Sequence, residues 1–189
     1  AALGTCSGMD VLSILRKKHQ RVGGYHVRSK ATSAEPIEGL AEKLGGTLEP
    51  FQWAGVRYAL EARRTLIADE QGLGKTIEAL ATVEADDAYP VVVVCPASIK
   101  LVWAREAERW LPHRSFAVVE GRSAVPPQAD ITILNYEIVA AHGEQLVRRS
   151  PKALIIDESH YCKNPRAKRT QAVRRLASVI PDDGLRLAL

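Results

Sequence analysis

The run Asp69-Glu70-Gln71-Gly72-Leu73-Gly74-Lys75-Thr76 ends in Gly-Lys-Thr, residue types suited to cradling a nucleotide phosphate. Gly72 and Gly74 carry no Cβ, so the backbone can turn sharply and bring its N–H groups onto phosphate oxygens. Lys75 supplies a point charge for the β- and γ-phosphates, and the Thr76 hydroxyl is a natural magnesium ligand. A second run, Asp157-Glu158-Ser159-His160, sets two adjacent carboxylates and a histidine after an apolar stretch. Asp157 would hold magnesium, directly or through water, and Glu158 is suited to orient or deprotonate an attacking water. In this order the two runs read as a site for a nucleoside triphosphate and Mg2+. The strict pattern G-x-x-x-x-G-K-[ST] asks for glycine where this chain has Asp69, so the first run alone also fits a glycine-rich turn with a chance Lys-Thr. The acidic pair downstream weighs against that bland alternative.

Such residues need strands to aim them. Residues 65–68 (Thr-Leu-Ile-Ala) read as a short buried strand entering the glycine loop, and a helix opening at roughly residues 76–84 points its positive dipole end at the phosphates. Residues 153–156 (Ala-Leu-Ile-Ile), bounded by Pro151 and the acidic pair, read as a buried parallel strand. Its carboxyl end is where open α/β sheets place ligands. Residues 91–95, closed by Pro96, form the clearest strand, and residues 116–120 and 131–135 are two more, separated by a Pro126-Pro127 loop. Helical spacing runs through residues 51–63, and through 98–110 by way of Ile99, Val102, Trp103, Ala107 and Trp110, with Ser98 as N-cap. Residues 164–178 form a basic helix and residues 185–189 a final strand. Alternating β and α elements predict an α/β fold, a mostly parallel sheet with helices on both faces.

Composition agrees with this without deciding it. The chain has 189 residues, enough for one domain with a sizeable core. Its 26 Lys plus Arg against 22 Asp plus Glu give +4 and a pI near 9.1, compatible with nucleic acid and with many ordinary enzymes. Cys6, Cys95 and Cys162 lack metal-ligand spacing, and Cys95, at a strand end, reads as a core thiol in a reducing compartment. No apolar run reaches membrane-span length, and no secretory h-region is present. Residues 1–47 differ from the rest: a short apolar patch (Val11, Leu12, Ile14, Leu15), then Arg16-Lys17-Lys18-His19-Gln20-Arg21, then a glycine pair and a polar stretch. They read as a solvated arm or linker, with contact to DNA as the other reading. The only methionine is Met9, so residues 1–8 read as an upstream remnant.

The motifs together carry a family resemblance. Leu48-Glu49-Pro50-Phe51-Gln52 with Gly55-Val56, then residues 68–76, resemble the first two motifs of the Swi/Snf-type ATPases of helicase superfamily two. Residues 94–98 (Val-Cys-Pro-Ala-Ser) with Trp103, then Leu134-Asn135-Tyr136-Glu137, then residues 157–160 with Lys163-Asn164, resemble the next three. That family often carries aspartate where Asp69 stands. Ser159 and the Pro50-Phe51-Gln52 run look most like the annealing-helicase branch and its bacterial and phage relatives. The resemblance covers roughly residues 48–189 and is weak or absent over 1–47.

The resemblance implies the ATP-binding, RecA-like P-loop lobe of a translocase that hydrolyses ATP on double-stranded or branched DNA, cytoplasmic in a bacterium or phage host and nuclear in a eukaryote. Carried over by position, Asp69, Glu70, Gln71, Gly72, Leu73, Gly74, Lys75 and Thr76 would bind the nucleotide, and Gln52 would read the adenine edge. Lys75, Asp157, Glu158 and His160 would be catalytic, with Thr76 and Asp157 on the metal. Ser98 and Lys100 would take a DNA phosphate, with Tyr136 and Lys163 beside the DNA track. Each has a plainer alternative: a surface glutamine for Gln52, a packing histidine for His160, simple capping for Ser98, a half-buried strand tyrosine for Tyr136. The cluster Lys163, Arg166, Lys168, Arg169, Arg174 and Arg175 is equally a solvated helix face or a DNA-backbone track. The resemblance further implies that residues 186–189 lead into a Thr-Gly-Thr-Pro motif and a second RecA-like lobe with arginine fingers, so the chain alone would bind ATP and hydrolyse it poorly. Two rivals remain at this stage: an RNA helicase lobe of the same superfamily, and a catalytically inactive nucleotide-binding interaction module.

Overall fold

The structure, a computed structural model, describes residues 34–67, 72–122 and 127–189. Its centre is a sheet of six parallel strands: β1 (Arg64–Leu66), β2 (Val91–Cys95), β3 (Phe116–Val118), β4 (Ile131–Asn135), β5 (Ala153–Ile156) and β6 (Leu185–Ala188). They lie side by side in the order β1-β6-β5-β2-β4-β3. Among the described residues, five α-helices accompany them: α1 (Pro50–Ala62), which precedes β1, and α2 (Lys75–Ala85), α3 (Lys100–Trp110), α4 (Val139–Arg148) and α5 (Lys168–Val179) between strands. This is the parallel, doubly covered sheet expected from the alternation of elements.

Period-two side-chain alternation divides the core. Val91, Val93, Cys95, Ile131, Ile133, Ile155, Leu185 and Leu187 face α1, α2 and α3, while Val92, Val94, Leu134, Leu154 and Ile156 face α4 and α5. Every residue of β2, β4, β5 and β6 is buried, as strands covered on both faces must be. One of them is an arginine. Arg186 sits within β6 at 6 % exposure and donates to the carbonyls of Ala177, Ile180 and Pro181, satisfying the orphan acceptors at the end of α5.

Several boundaries differ from the sequence expectation. Ser98 is not an N-cap: residues Ala97–Ile99 form a 3-10 turn behind Pro96, and α3 starts after Ile99 with no capping side chain. Proline cannot donate a backbone N–H, and the chain tightens for one turn before the helix begins. The basic helix starts at Lys168, because Asn164 Oδ1 accepts the Arg166 N–H and holds a local turn ahead of it. Helix α4 was not anticipated. Its buried positions Val139, His142, Gly143 and Leu146 have ideal helical spacing, but a histidine and a glycine disguise the stripe. The sequence boundary at residue 47 falls within a packed segment, since Leu40, Leu44 and Leu48 are buried and the Gly45 N–H donates to the Trp110 carbonyl at 2.9 Å.

Cys95 and Cys162 are free and buried, and burial pushes their pKa values up to about 12 and about 11, so both are thiols at neutral pH. Cys6 lies outside the described residues. Among the described residues no helix is long and apolar enough to cross a membrane.

Candidate active site

Four strands finish in register along one edge of the sheet. Leu66 pairs with Ala188, Ala188 with Ile156, and Val94 with Ile156. The ladder continues one residue further: Ile67 N–H donates to Ala188 O at 2.8 Å, Leu189 N–H to Ile156 O at 2.9 Å and Asp157 N–H to Val94 O at 2.9 Å. The glycine loop leaves β1 and the acidic run leaves β5, separated by β6. Two strand spacings put their origins about 10 Å apart, a span that a lysine side chain and a phosphate group together cover.

In the glycine loop, Gly72 (φ 89°) and Gly74 (φ 86°) occupy the left-handed region that only glycine enters freely. Gly74 is the residue before α2, and a Cβ there would strike the Gln52 amide nitrogen. Lys75 opens the helix and Thr76 follows, both partly exposed. Asp69, Glu70 and Gln71 lie outside the described residues. Gln52 is 7 % exposed and already engaged: its Oε1 accepts the Glu49 N–H at 2.9 Å and its Nε2 donates to Leu73 O at 3.0 Å. It therefore ties α1 to the glycine loop, with one amide hydrogen and one carbonyl lone pair beyond these two bonds.

Asp157 is held at three points. Its Oδ2 accepts the Trp103 indole N–H at 2.7 Å, its Oδ1 the Glu158 N–H at 2.8 Å, and its carbonyl oxygen the Tyr136 hydroxyl at 2.6 Å. Burial raises its pKa above the ordinary aspartate value and the Glu158 charge adds to that, while the Trp103 and Glu158 hydrogen bonds and the Lys75 ammonium oppose the rise. The structure thus brings Lys75 and Asp157 within electrostatic reach of each other. Neighbouring Glu158 adopts a left-handed backbone (φ 51°), and its Oε2 lies 3.0 Å from His160 Nδ1. Both side chains are about half exposed, at 46 % and 47 %. A desolvated carboxylate with a raised pKa, oriented by two donors and facing a lysine across a glycine cradle, is a fitting donor set for Mg2+ with a polyphosphate.

The residues expected to meet nucleic acid lie along the same edge and beside it. Ser98 is exposed in the 3-10 turn, and Lys163 is exposed after the 3-10 turn Ser159–Cys162. Lys100 Nζ donates to Val119 O at 2.9 Å, pinning the start of α3 to the end of β3. Tyr136 is only 1 % exposed, and its ring stacks on Tyr161 with centroids 5.1 Å apart. It lines a cleft of about 370 Å³ together with Arg122, Glu137, Lys168 and Arg169. The basic cluster is split. Lys168 and Arg169 face that cleft, whereas Arg175 lies 3.9 Å from Glu144 on an exposed surface.

The sequence marked Trp103 as a member of the apolar stripe and of the motif run with residues 94–98, with no polar partner assigned to it. Its indole N–H on Asp157 is the contact that reasoning missed, and the signal was a tryptophan, with a donor needing a partner, in a stripe facing the acidic strand.

Residues 15–179 match the SNF2-related domain family, a span that starts well before residue 48, where the motif run begins. The chain is 32 % identical over 154 residues to the DNA annealing helicase and endonuclease ZRANB3 of Bos taurus, covering 76 % of this chain and 14 % of that protein. It is 32 % identical over 165 residues to the Caenorhabditis elegans SWI/SNF-related matrix-associated actin-dependent regulator of chromatin subfamily A-like protein 1 homolog, covering 84 % of this chain and 24 % of the relative. The chain therefore spans a quarter or less of the length of these relatives. Among solved structures, it is similar to the Sulfolobus solfataricus SWI2/SNF2 ATPase core in complex with dsDNA, with a TM-score of 0.68 at 28 % identity, over 82 % of this chain and 33 % of the other.

Proposed function

The chain belongs to the SNF2-related domain family, and we propose that it is the first ATP-binding lobe of a two-lobed translocase that acts on duplex DNA. The observation that carries the nucleotide part is the convergence of Lys75 and Asp157 across a glycine cradle at one sheet edge. The DNA part is supported by the double-stranded DNA in the similar ATPase core and by the DNA-directed names of the relatives. Those relatives are eukaryotic, which supports a nuclear setting for a eukaryotic chain.

In this reading the N–H groups of the phosphate loop and the start of α2 receive the phosphate oxygens, and the Lys75 ammonium bridges the β- and γ-phosphates. The Thr76 hydroxyl and the Asp157 carboxylate hold Mg2+, which supplies charge neutralisation on the phosphates when bound. Glu158 takes the proton of the attacking water, with His160 at its other oxygen. Asp69, Glu70 and Gln71 are assigned to nucleotide binding by their position in the motif, and Gln52 fixes Leu73 with its base-reading capacity reduced by its internal bonds. Ser98, Lys100 and Lys163, with the cleft walled by Arg122 and Lys168, meet DNA phosphates. The lobe proper spans residues 48–189, with residues 1–47 as a leading arm whose end packs onto it. A second lobe supplies the arginine finger, worth about 10³–10⁵ in rate, so hydrolysis by this lobe alone is slow.

The test is binding of a fluorescent ATP analogue with Mg2+. The chain should bind it, and Lys75→Ala should weaken binding roughly 10- to 100-fold, the worth of a charge-assisted hydrogen bond of about 1.5–3 kcal/mol. An unaltered titration for Lys75→Ala, or no binding by the parent chain, would overturn the assignment.

A further inference from the structure

We propose that Trp103 and Tyr136 are positioning residues that set the metal affinity of Asp157, Trp103 by fixing its carboxylate rotamer and Tyr136 by fixing its backbone. This rests on the reading of Asp157 as a magnesium ligand.

Both residues come from elements far from the acidic run in sequence. Trp103 stands one turn into α3, and its ring is 1 % exposed. An indole has a single donor, and here it is directed at Asp157 Oδ2. The other carboxylate oxygen takes the Glu158 N–H, so rotation of the Asp157 side chain breaks one bond or the other. Each oxygen keeps a further lone pair, and the directions of those lone pairs are fixed by the two donors.

Tyr136 follows β4 and works on the backbone. Its hydroxyl donates to the Asp157 carbonyl, and its ring lies nearly parallel to Tyr161, with an interplanar angle of 9°. Arg169 Nε donates to the Tyr161 carbonyl at 3.0 Å and closes the back of the stack. Between these two grips lies Glu158, whose left-handed backbone costs an ordinary residue free energy and relaxes unless its neighbours hold it. Tyr136 therefore holds the chain on both sides of Glu158, at the Asp157 carbonyl and at the Tyr161 ring.

A purely structural account says that Trp103 and Tyr136 only fill space and satisfy buried polar atoms. That account predicts loss of stability without selective loss of metal. Positioning predicts the reverse selectivity, because partners that orient a metal ligand typically govern metal affinity by 10- to 100-fold.

The experiment uses the whole 189-residue chain with Mn2+ as a paramagnetic stand-in for Mg2+, read by electron paramagnetic resonance with and without ATP. Trp103→Phe keeps an aromatic ring and removes the donor. It should lower Mn2+ affinity in the ATP complex about tenfold while metal-free ATP affinity changes less than about twofold. Tyr136→Phe should show the same selectivity to a smaller extent, and it decides the matter if Trp103→Phe does not fold. Unchanged Mn2+ affinity in a folded variant, or a parallel loss of metal-free ATP affinity, overturns the proposal. Absence of Mn2+·ATP binding by the unaltered chain would instead sink the ATP-site reading itself, and this inference with it.

Discussion

At the edge where the strands begin, Glu84 near the end of α2 is a fully buried carboxylate with a full set of partners. It accepts the Tyr89 hydroxyl at 2.7 Å, Arg114 Nε at 2.9 Å and Arg114 Nη2 at 3.1 Å, with His113 Nε2 also 3.1 Å away. At the edge where the strands end, Asp157 is a desolvated carboxylate with two neutral donors and a lysine at longer range. Burial opposes ionisation of both. At Glu84 the hydrogen bonds from Arg114, Tyr89 and His113 outweigh it and hold the pKa below the ordinary value, whereas at Asp157 they do not and the pKa stays raised. The first is a finished structural clasp joining α2, the turn at Tyr89 and the loop before β3. The second keeps a raised pKa at the end of the sheet where the proposed nucleotide site lies. Buried charge by itself does not mark function; buried charge left under-compensated at a sheet's ligand edge does.

Removing Arg114 is the strongest way to break the contrast. Arg114→Met leaves the Glu84 carboxylate buried with its main cation gone and should destabilise the fold by about 3–5 kcal/mol, measured by urea unfolding. Nucleotide affinity of the fraction still folded should stay within about twofold of the parent, since the clasp lies at the opposite edge. A large, selective loss of nucleotide affinity would erase the distinction between the two edges.

A milder cut at the same clasp is Tyr89→Phe. The Tyr89 side chain is buried, and its hydroxyl bond to a charged acceptor should be worth about 1.5 kcal/mol. The loss stays at that lower end because Arg114 and His113 still serve Glu84. A loss as large as that of Arg114→Met would show that the network cannot be divided this way.

The smallest effect is a difference in pH dependence, and its sign differs between the two groups. Glu84 has a folded pKa below its ordinary 4.5, so its stabilisation is full above that value and fades as pH falls through the lower folded value. Asp157 has a folded pKa above its ordinary 3.8, so its ionisation weakens the metal-free fold as pH rises from 3.8 through the folded value, and below 3.8 the effect is absent. Asp157→Asn should therefore remove a fall in stability on raising the pH through that window while leaving the acid-side loss due to Glu84. Identical pH–stability profiles for parent and variant would show that Asp157 carries no such strain.

Much of this was legible in the chain. The runs at residues 91–95 and 131–135 coincide with β2 and β4 because short stretches rich in β-branched residues favour strands buried on both faces. Gly74 and Lys75 announced a left-handed turn and a helix start because no other residue type fits the turn at so little cost. Helix α4 was hidden because His142 and Gly143 occupy its buried stripe, where His142 serves the Gly121 carbonyl at 2.9 Å. The start of α3 was misplaced because the preference of serine for N-caps competes with a 3-10 turn that only the packed chain selects.

By itself the sequence determined which residues can bind phosphate and metal, since glycine, lysine, threonine and adjacent carboxylates carry that chemistry wherever they sit. It also determined the alternation that makes a parallel sheet. Only the tertiary structure decided that β6 would lie between β1 and β5, which sets the distance from Lys75 to Asp157. It alone decided that Trp103 and Tyr136 would spend their donors on Asp157, and that Glu84 would be compensated where Asp157 is not. Strand order and side-chain partnership depend on contacts between residues distant along the chain, and local residue types do not encode those contacts.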